Sequence, residues 1–317
     1  MEVRQRGPVC GAGQPRVLPV CTGWAQALRM AARMPLPTDF RTYRGRLAPS
    51  PTGWLHLGHA RTFWLAQERA AAAGGALILR SDDLDGARCR TEFSAGMLED
   101  LRWLGLRWSE GPDIGGPHAP YVQSARLAEY RAAFEKLRAL GAIYPCDCSR
   151  QDVLRALGAP HAGEEEPVYP GTCRPPLRGK SEIRNPKSEI NWRFRVPDGE
   201  VISFTDSALG PHAEMAGREF GDFLVWRKDG LPSYQLACVV DDAAMSITEV
   251  VRGADLLTST CRQLLLYRAL GLAAPAFHHA PLMTGADGLR LAKRDGATSL
   301  RGLRAAGATP EEVRARF

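Results

Sequence analysis

Two histidines three positions apart, His56 and His59, follow the turn Pro49-Ser-Pro-Thr-Gly53 and open an Ala-rich run with high helix propensity. Pro49 and Pro51 stop the strand ahead of them, and Gly53 and Gly58 let backbone approach a ligand closely. A helix N-terminus gathers unpaired N–H groups and partial positive charge, so it favours anions. Two imidazoles on one face there can both donate to phosphate oxygens. By itself, H-x-x-H is equally a pair of surface histidines or half of a metal site. Three further groups carry chemistry: the acidic cluster Arg80-Ser-Asp-Asp-Leu-Asp85, the basic loop Arg290-Leu-Ala-Lys-Arg294, and the cysteines 146, 148 and 173. These three are the only clustered members of eight cysteines, a pattern of a reducing compartment and a metal site, not of a disulfide framework.

The elements that must position these groups follow from periodicity. The opening strand that ends near Leu47, the helical run Ala60–Ala73 and the strand Ala76–Leu79 have the spacing of a βαβ unit, which implies a parallel sheet and an α/β fold. Ligands of such sheets bind at the carboxyl ends of the strands, where the His56 turn and the acidic cluster both fall. Thr91–Leu104 and Tyr121–Leu140 read as amphipathic helices, the second stopped by Gly141. Trp192–Val196 and Val201–Phe204 alternate like strands around an Asp198-Gly199 turn. Phe223–Trp226 and Ile247–Arg252 read as strands, Tyr234–Val240, Thr258–Leu270 and Pro310–Phe317 as helices.

The totals set limits. The chain has 317 residues, 44% hydrophobic and 24% charged, as in ordinary globular proteins. No run approaches a membrane span, and a cytoplasmic location is expected. The net charge of +6 does not itself argue for nucleic acid. Residues 1–41 carry six arginines against Glu2 and Asp39, which accounts for four of those charges. That segment is rich in Gly, Pro, Arg and Ala without periodicity, and it reads as a disordered or non-native extension, with Met30 or Met34 as the expected true start. Lys180-Ser-Glu-Ile183 recurs as Lys187-Ser-Glu-Ile190, so residues 177–191 read as a surface insertion without a chemical role.

With Arg46-x-Ala-Pro-Ser-Pro-Thr-Gly-x-Leu-His-x-Gly-His59 as its first signature, the chain resembles the class I aminoacyl-tRNA synthetases of the glutamyl branch. Arg80–Asp85, Gly230–Gly253 and the Lys293 loop stand in family order, and the chain is most similar to the glutamyl-Q tRNA(Asp) synthetase family. The resemblance implies a Rossmann-like parallel sheet with a zinc-containing connecting insertion and a short C-terminal stem-contact-like helical region. It divides the chain into 42–110 and 221–275 as halves of the nucleotide-binding domain, 111–220 as the insertion, and 276–317 as signature loop and stem-contact region. It implies that Arg46, Leu47, Ala48, Pro49, Ser50, Tyr234 and Arg252 surround L-glutamate, and that Asp82, where the family usually has Glu, holds its ammonium. The shorter Asp reaches through water or a backbone shift, or affinity falls. His56, Gly58, His59 and Lys293 would bind ATP, with Mg²⁺, and the two histidines and Lys293 would be catalytic. Arg290 and Ala292 depart from the Lys-x-Ser-Lys pattern. Cys146, Cys148, Tyr169 and Cys173 resemble the family's structural zinc site, with His161 or solvent as alternatives to Tyr169. The implied reaction is tRNA-independent activation of glutamate, then its transfer to queuosine in the anticodon of tRNA(Asp), by a monomer. Fewer than about 30 residues follow the Lys293 loop, too few for an anticodon-binding domain. A truncated glutamyl-tRNA synthetase and an inactive RNA- or nucleotide-binding paralogue are the competing expectations.

Overall fold

The computed structural model describes residues 42–149, 151–153, 168–176, 190–283 and 299–317. The N-terminal 41 residues, His161, most of the duplicated segment, and Arg290, Ala292 and Lys293 lie outside the described residues.

β1 (Arg44–Leu47), α1 (Leu57–Ala72) and β2 (Ala76–Leu79) form the expected βαβ unit, with β1 and β2 parallel and Leu47 opposite Leu79. The return into β2 requires glycine at position 75, where a Cβ would lie 2.3 Å from the Tyr43 carbonyl oxygen. α2 (Thr91–Trp103) follows. The helix expected from Tyr121 instead begins as α3 (Leu127–Ala139), after a 3-10 turn over Gln123–Ala125. Tyr121 and Val122 stay extended because Ser81 N donates to the Tyr121 carbonyl and Gln123 N to that of Ser81.

β3 (Ile143–Cys146), β4 (Asn191–Phe194) and the later β7 (Phe223–Trp226) form an antiparallel sheet in the order β3-β4-β7. β5 (Val201–Asp206) does not pair with β4, contrary to the hairpin expected at Asp198-Gly199. Its partner is β6 (Gly210–Met215), whose Pro211, His212 and Glu214 break the apolar alternation that would have marked a strand. β7 (Phe223–Trp226), α4 (Tyr234–Ala244), β8 (Glu249–Gly253), α5 (Leu257–Leu270), β9 (Ala276–Ala280), α6 (Leu300–Ala305) and α7 (Pro310–Arg314) complete the described fold.

β8 and β9 are parallel, β9 also meets β5 in parallel, and Thr248 N donates to the Arg44 carbonyl, so β8 runs along the other edge of β1. Successive side chains of these strands enter opposite layers. Leu47, Leu77, Leu79 and Val251 pack with α1 and α2, whereas Ile78, Val250 and Phe277 pack with α3, α4 and α5. A mostly parallel sheet covered on both faces is the α/β architecture the sequence predicts. Among the described residues no helix is long and apolar enough to cross a membrane.

Candidate active site

α1 begins on its histidines. His56 is the N-cap, with extended backbone, and its Nδ1 accepts from Gly58 N at 3.1 Å. His59 is the third helical residue, and its Nδ1 faces the His56 N–H at 3.5 Å. The two rings stack at 3.8 Å between centroids. With both Nδ1 atoms accepting, the neutral rings carry their proton on Nε2. The pair is therefore the cap itself: the His56 ring accepts from N–H groups of the helix start, and the imidazoles add donors of their own there.

This helix start opens onto a cavity of about 710 Å³. Its walls include Arg46, Ala48, Pro49, Ser50, His56, Gly58, His59, Asp82, Tyr234 and Arg252, with Trp54, Phe63, Leu282 and Met283 as apolar surface. Every described residue that the sequence assigned to glutamate or ATP is there except Leu47. Leu47 is fully buried behind the wall, and its carbonyl accepts from Arg80 N at 2.8 Å.

Beneath the cavity lies a charge network. The fully buried Arg80 grips Asp82 with two bonds, Nε–Oδ1 at 2.6 Å and Nη2–Oδ2 at 3.1 Å, and donates to Asp242 Oδ1 at 2.6 Å. Asp241 accepts from Arg126, Gln123 and Tyr130. Burial pushes the Asp82 carboxyl up to about 6 against the pull of Arg80, and the neighbouring Asp241 and Asp242 raise it further. Sequence reasoning gives Arg80 no partner and does not single out Asp241 and Asp242. The available signal is a pair of acids directly after the apolar run Leu236–Val240 in the same helix, which buries them and requires cationic partners.

Two arginines line the cavity on short rations of negative charge. Arg46 donates to the Val251 carbonyl at 2.9 Å, its nearest carboxylate oxygen is Asp242 Oδ1 at 3.6 Å, and its buried Nε makes no hydrogen bond. Arg252, only 5% exposed, has no carboxylate within 4.0 Å among the described residues. Its guanidinium donates instead to Gln263 Oε1 (2.9 Å), Thr260 Oγ1 (2.7 Å), His279 Nε2 (3.2 Å) and, at the cavity mouth, Tyr234 Oη (3.4 Å). A buried cation without a counter-ion is costly, and a bound anion removes the cost.

A second cluster lies at the end of β3. The ligand atoms of Cys146, Cys148 and Cys173 all fall within 4.8 Å of one another. The Tyr169 hydroxyl is 3.4 Å from Cys146 Sγ and 3.6 Å from Cys148 Sγ, and the Cys148 and Cys173 sulfurs are 3.5 Å apart. Tetrahedral zinc with Zn–S near 2.3 Å has edges of roughly 3.8 Å, close to the 3.4, 3.6 and 3.5 Å of these three contacts.

Known proteins give these features a context. Residues 42–315 match the family profile of the class I tRNA synthetases (E and Q), catalytic domain. The chain is 53% identical to a glutamyl-Q tRNA(Asp) synthetase of Symbiobacterium thermophilum, over 85% of this chain and 83% of that one. It is 51% identical to a protein of the same name from Nitratidesulfovibrio vulgaris, over 83% and 82%. Among solved structures, a glutamate tRNA ligase from Elizabethkingia meningosepticum in complex with its amino acid superposes with a TM-score of 0.70 at 32% identity, covering 81% of this chain and 53% of that one. The histidine-capped helix, the parallel sheet that carries it and the match along nearly the whole described fold agree: the chain belongs to the class I tRNA synthetases of the glutamate and glutamine branch, and within them to the glutamyl-Q tRNA(Asp) synthetase family.

Proposed function

We propose that the chain activates L-glutamate with ATP without needing tRNA, and transfers it to queuosine in the anticodon of tRNA(Asp). The observation that carries the amino-acid half is Arg252, a buried guanidinium without a carboxylate partner among the described residues, in the same cavity as the histidine-capped helix start. Under that cavity Arg80 and Arg126 are paired with Asp82, Asp241 and Asp242, whereas Arg46 has its nearest carboxylate oxygen at 3.6 Å and Arg252 is paired with no carboxylate among the described residues. Glutamate, with two carboxylates and one ammonium, brings the missing negative charge. Arg46 and Arg252 suit its carboxylates, and Asp82 its ammonium. Ala48, Pro49, Ser50 and Tyr234 complete the pocket, and Leu47 supports it through Arg80.

In the first step a glutamate carboxylate oxygen attacks the α-phosphorus of ATP and the bond to the β-phosphate breaks, leaving glutamyl-adenylate and pyrophosphate. No side-chain nucleophile is required. His56 and His59 offer Nε2 donors, and Lys293 an ammonium, to charge developing on the phosphates; Mg²⁺ accompanies ATP. In the second step a hydroxyl of the queuosine cyclopentenediol attacks the adenylate carbonyl and AMP leaves. The names of the relatives support this acceptor. Cys146, Cys148, Tyr169 and Cys173 are proposed to hold a structural zinc ion that takes no part in either step.

Glutamate-dependent ATP–pyrophosphate exchange in the absence of tRNA tests the first step. Exchange with L-glutamate is expected, and its abolition by Lys293→Ala. No exchange would overturn the proposal in favour of an RNA- or nucleotide-binding paralogue. Transfer of labelled glutamate to tRNA(Asp) from a queuosine-containing strain, and none to the same tRNA from a queuosine-deficient strain, tests the second.

A further inference from the structure

Arg252 is oriented by neutral acceptors, and one of them is itself held in a fixed state. His279, near the end of β9, is fully buried, with its ring between Asp206 at the end of β5 and Arg252 on β8. Its Nδ1 lies 2.6 Å from Asp206 Oδ2. Its Nε2 lies 3.2 Å from Arg252 Nε and 3.0 Å from Thr260 Oγ1. An arginine Nε–H can only donate, so Nε2 is the bare nitrogen and the ring proton sits on Nδ1, directed at Asp206. Asp206 in turn accepts from the backbone N–H groups of Ala208 (2.9 Å), Leu209 (3.0 Å) and His279 itself (3.1 Å). These donors satisfy the carboxylate without a second proton from the ring. Burial holds the imidazole below its ordinary range although Asp206 pulls the other way, so the ring is neutral at pH 7.

We propose that His279, keyed by Asp206, is a positioning residue that fixes the tilt of the Arg252 guanidinium and thereby sets affinity for the substrate side chain or carboxylate that Arg252 meets. The inference rests on the glutamate reading of the cavity. A carboxylate at position 279 would orient Arg252 equally well but would neutralise the charge the substrate needs. An imidazolium would repel it and withdraw the lone pair. A neutral imidazole with one fixed lone pair orients the cation and leaves its charge for the ligand. Thr260 and Gln263 complete the same arrangement on the Nη atoms.

Pyrophosphate exchange by the full chain tests this with two substitutions. Asn in His279→Asn keeps a donor near Asp206 and offers Arg252 no acceptor. Gln in His279→Gln places an amide oxygen near the Nε2 position. His279→Asn is expected to raise KM for glutamate about 10- to 100-fold, leaving KM for ATP and kcat at saturating glutamate within about threefold. His279→Gln is expected to recover most of that loss. Equal KM for glutamate in all three proteins, or losses shared equally between glutamate and ATP, would overturn the inference and leave His279 as core filling between Phe204 and Phe277. Should His279→Asn fail to fold, Thr260→Val removes another neutral acceptor at constant volume. A selective, smaller rise in KM for glutamate is expected there, and an unchanged KM would count against the inference. A wild-type chain without exchange overturns the glutamate reading itself, whereas wild-type exchange with indifferent variants overturns only the role of His279.

Discussion

Asp82 differs from an ordinary surface carboxylate because Arg80 grips both its oxygens while burial and two neighbouring aspartates oppose its charge. Its carboxyl therefore titrates at about 6, between the usual carboxylate range and neutrality. Above that pH it is an anion and can accept from an ammonium; below it the added proton removes that capacity. KM for glutamate is expected to rise about tenfold for each pH unit below the transition, with KM for ATP less affected, in exchange assays between pH 5 and 8. Asp82→Asn should show the acid-limb KM already at pH 8, with the limb flattened. At this scale the sequence was informative about which residues share the cavity, as with His56, His59 and Asp82, each singled out by a local motif. It was silent about Arg80 meeting Asp242, and about His279 meeting Arg252, because those partners come from different strands and helices that only the folded sheet brings together.

α2 is shaped around Trp54, a wall of the cavity. The Trp54 ring meets Phe93 edge-on at 5.0 Å, lies under the Arg301 guanidinium at 4.6 Å, and passes so close to α2 that a Cβ on Gly96 would come within 2.3 Å of it. Gly96→Ala would ordinarily favour a helix interior, by roughly 1 kcal/mol. Here the indole, gripped on two sides, cannot simply swing away, so a net loss of about 1–3 kcal/mol is expected. Urea unfolding should show a lower midpoint, and the displaced wall should raise KM for ATP or glutamate in exchange assays. The glycine was unreadable beforehand, since nothing in the helix pattern of residues 91–104 tells that an aromatic from the turn before α1 rests on that face. Elements themselves were legible where helix propensity, an amphipathic stripe or a short apolar run marked them, as in α1, α2 and β2 respectively. β6 was missed because Pro211, His212 and Glu214 hide its alternation, and the start of α3 was misplaced because Tyr121 and Val122 pair with Ser81.

The described molecule has two large cores on the faces of its sheet and a third, small one around Tyr144, Cys146, Val153 and Tyr169. So few apolar groups stabilise a lobe weakly, and a zinc ion at the adjoining thiols would supply what the core lacks. Protein prepared reduced and without chelator is expected to contain about one zinc per chain by elemental analysis, and Cys148→Ser substantially less. Chelation should speed hydrogen exchange in residues 143–148 and 168–173 while α1, β2 and α5 keep their protection; zinc-free protein with unaltered exchange would rule the ion out. The position of β1 bears on the history of each molecule as well as on its chemistry. One of its edges is covered by β2 within thirty-odd residues, but the other waits for β8, which begins at Glu249. A ribosome adding 5–20 residues per second needs about 10–40 s to span that interval. Throughout it the nascent sheet presents β1 with one unpaired edge, whose free N–H and C=O groups can pair with a neighbouring chain. Overexpression should accordingly be limited by aggregation of incomplete chains, and slower translation with ample chaperone should raise the yield of soluble protein.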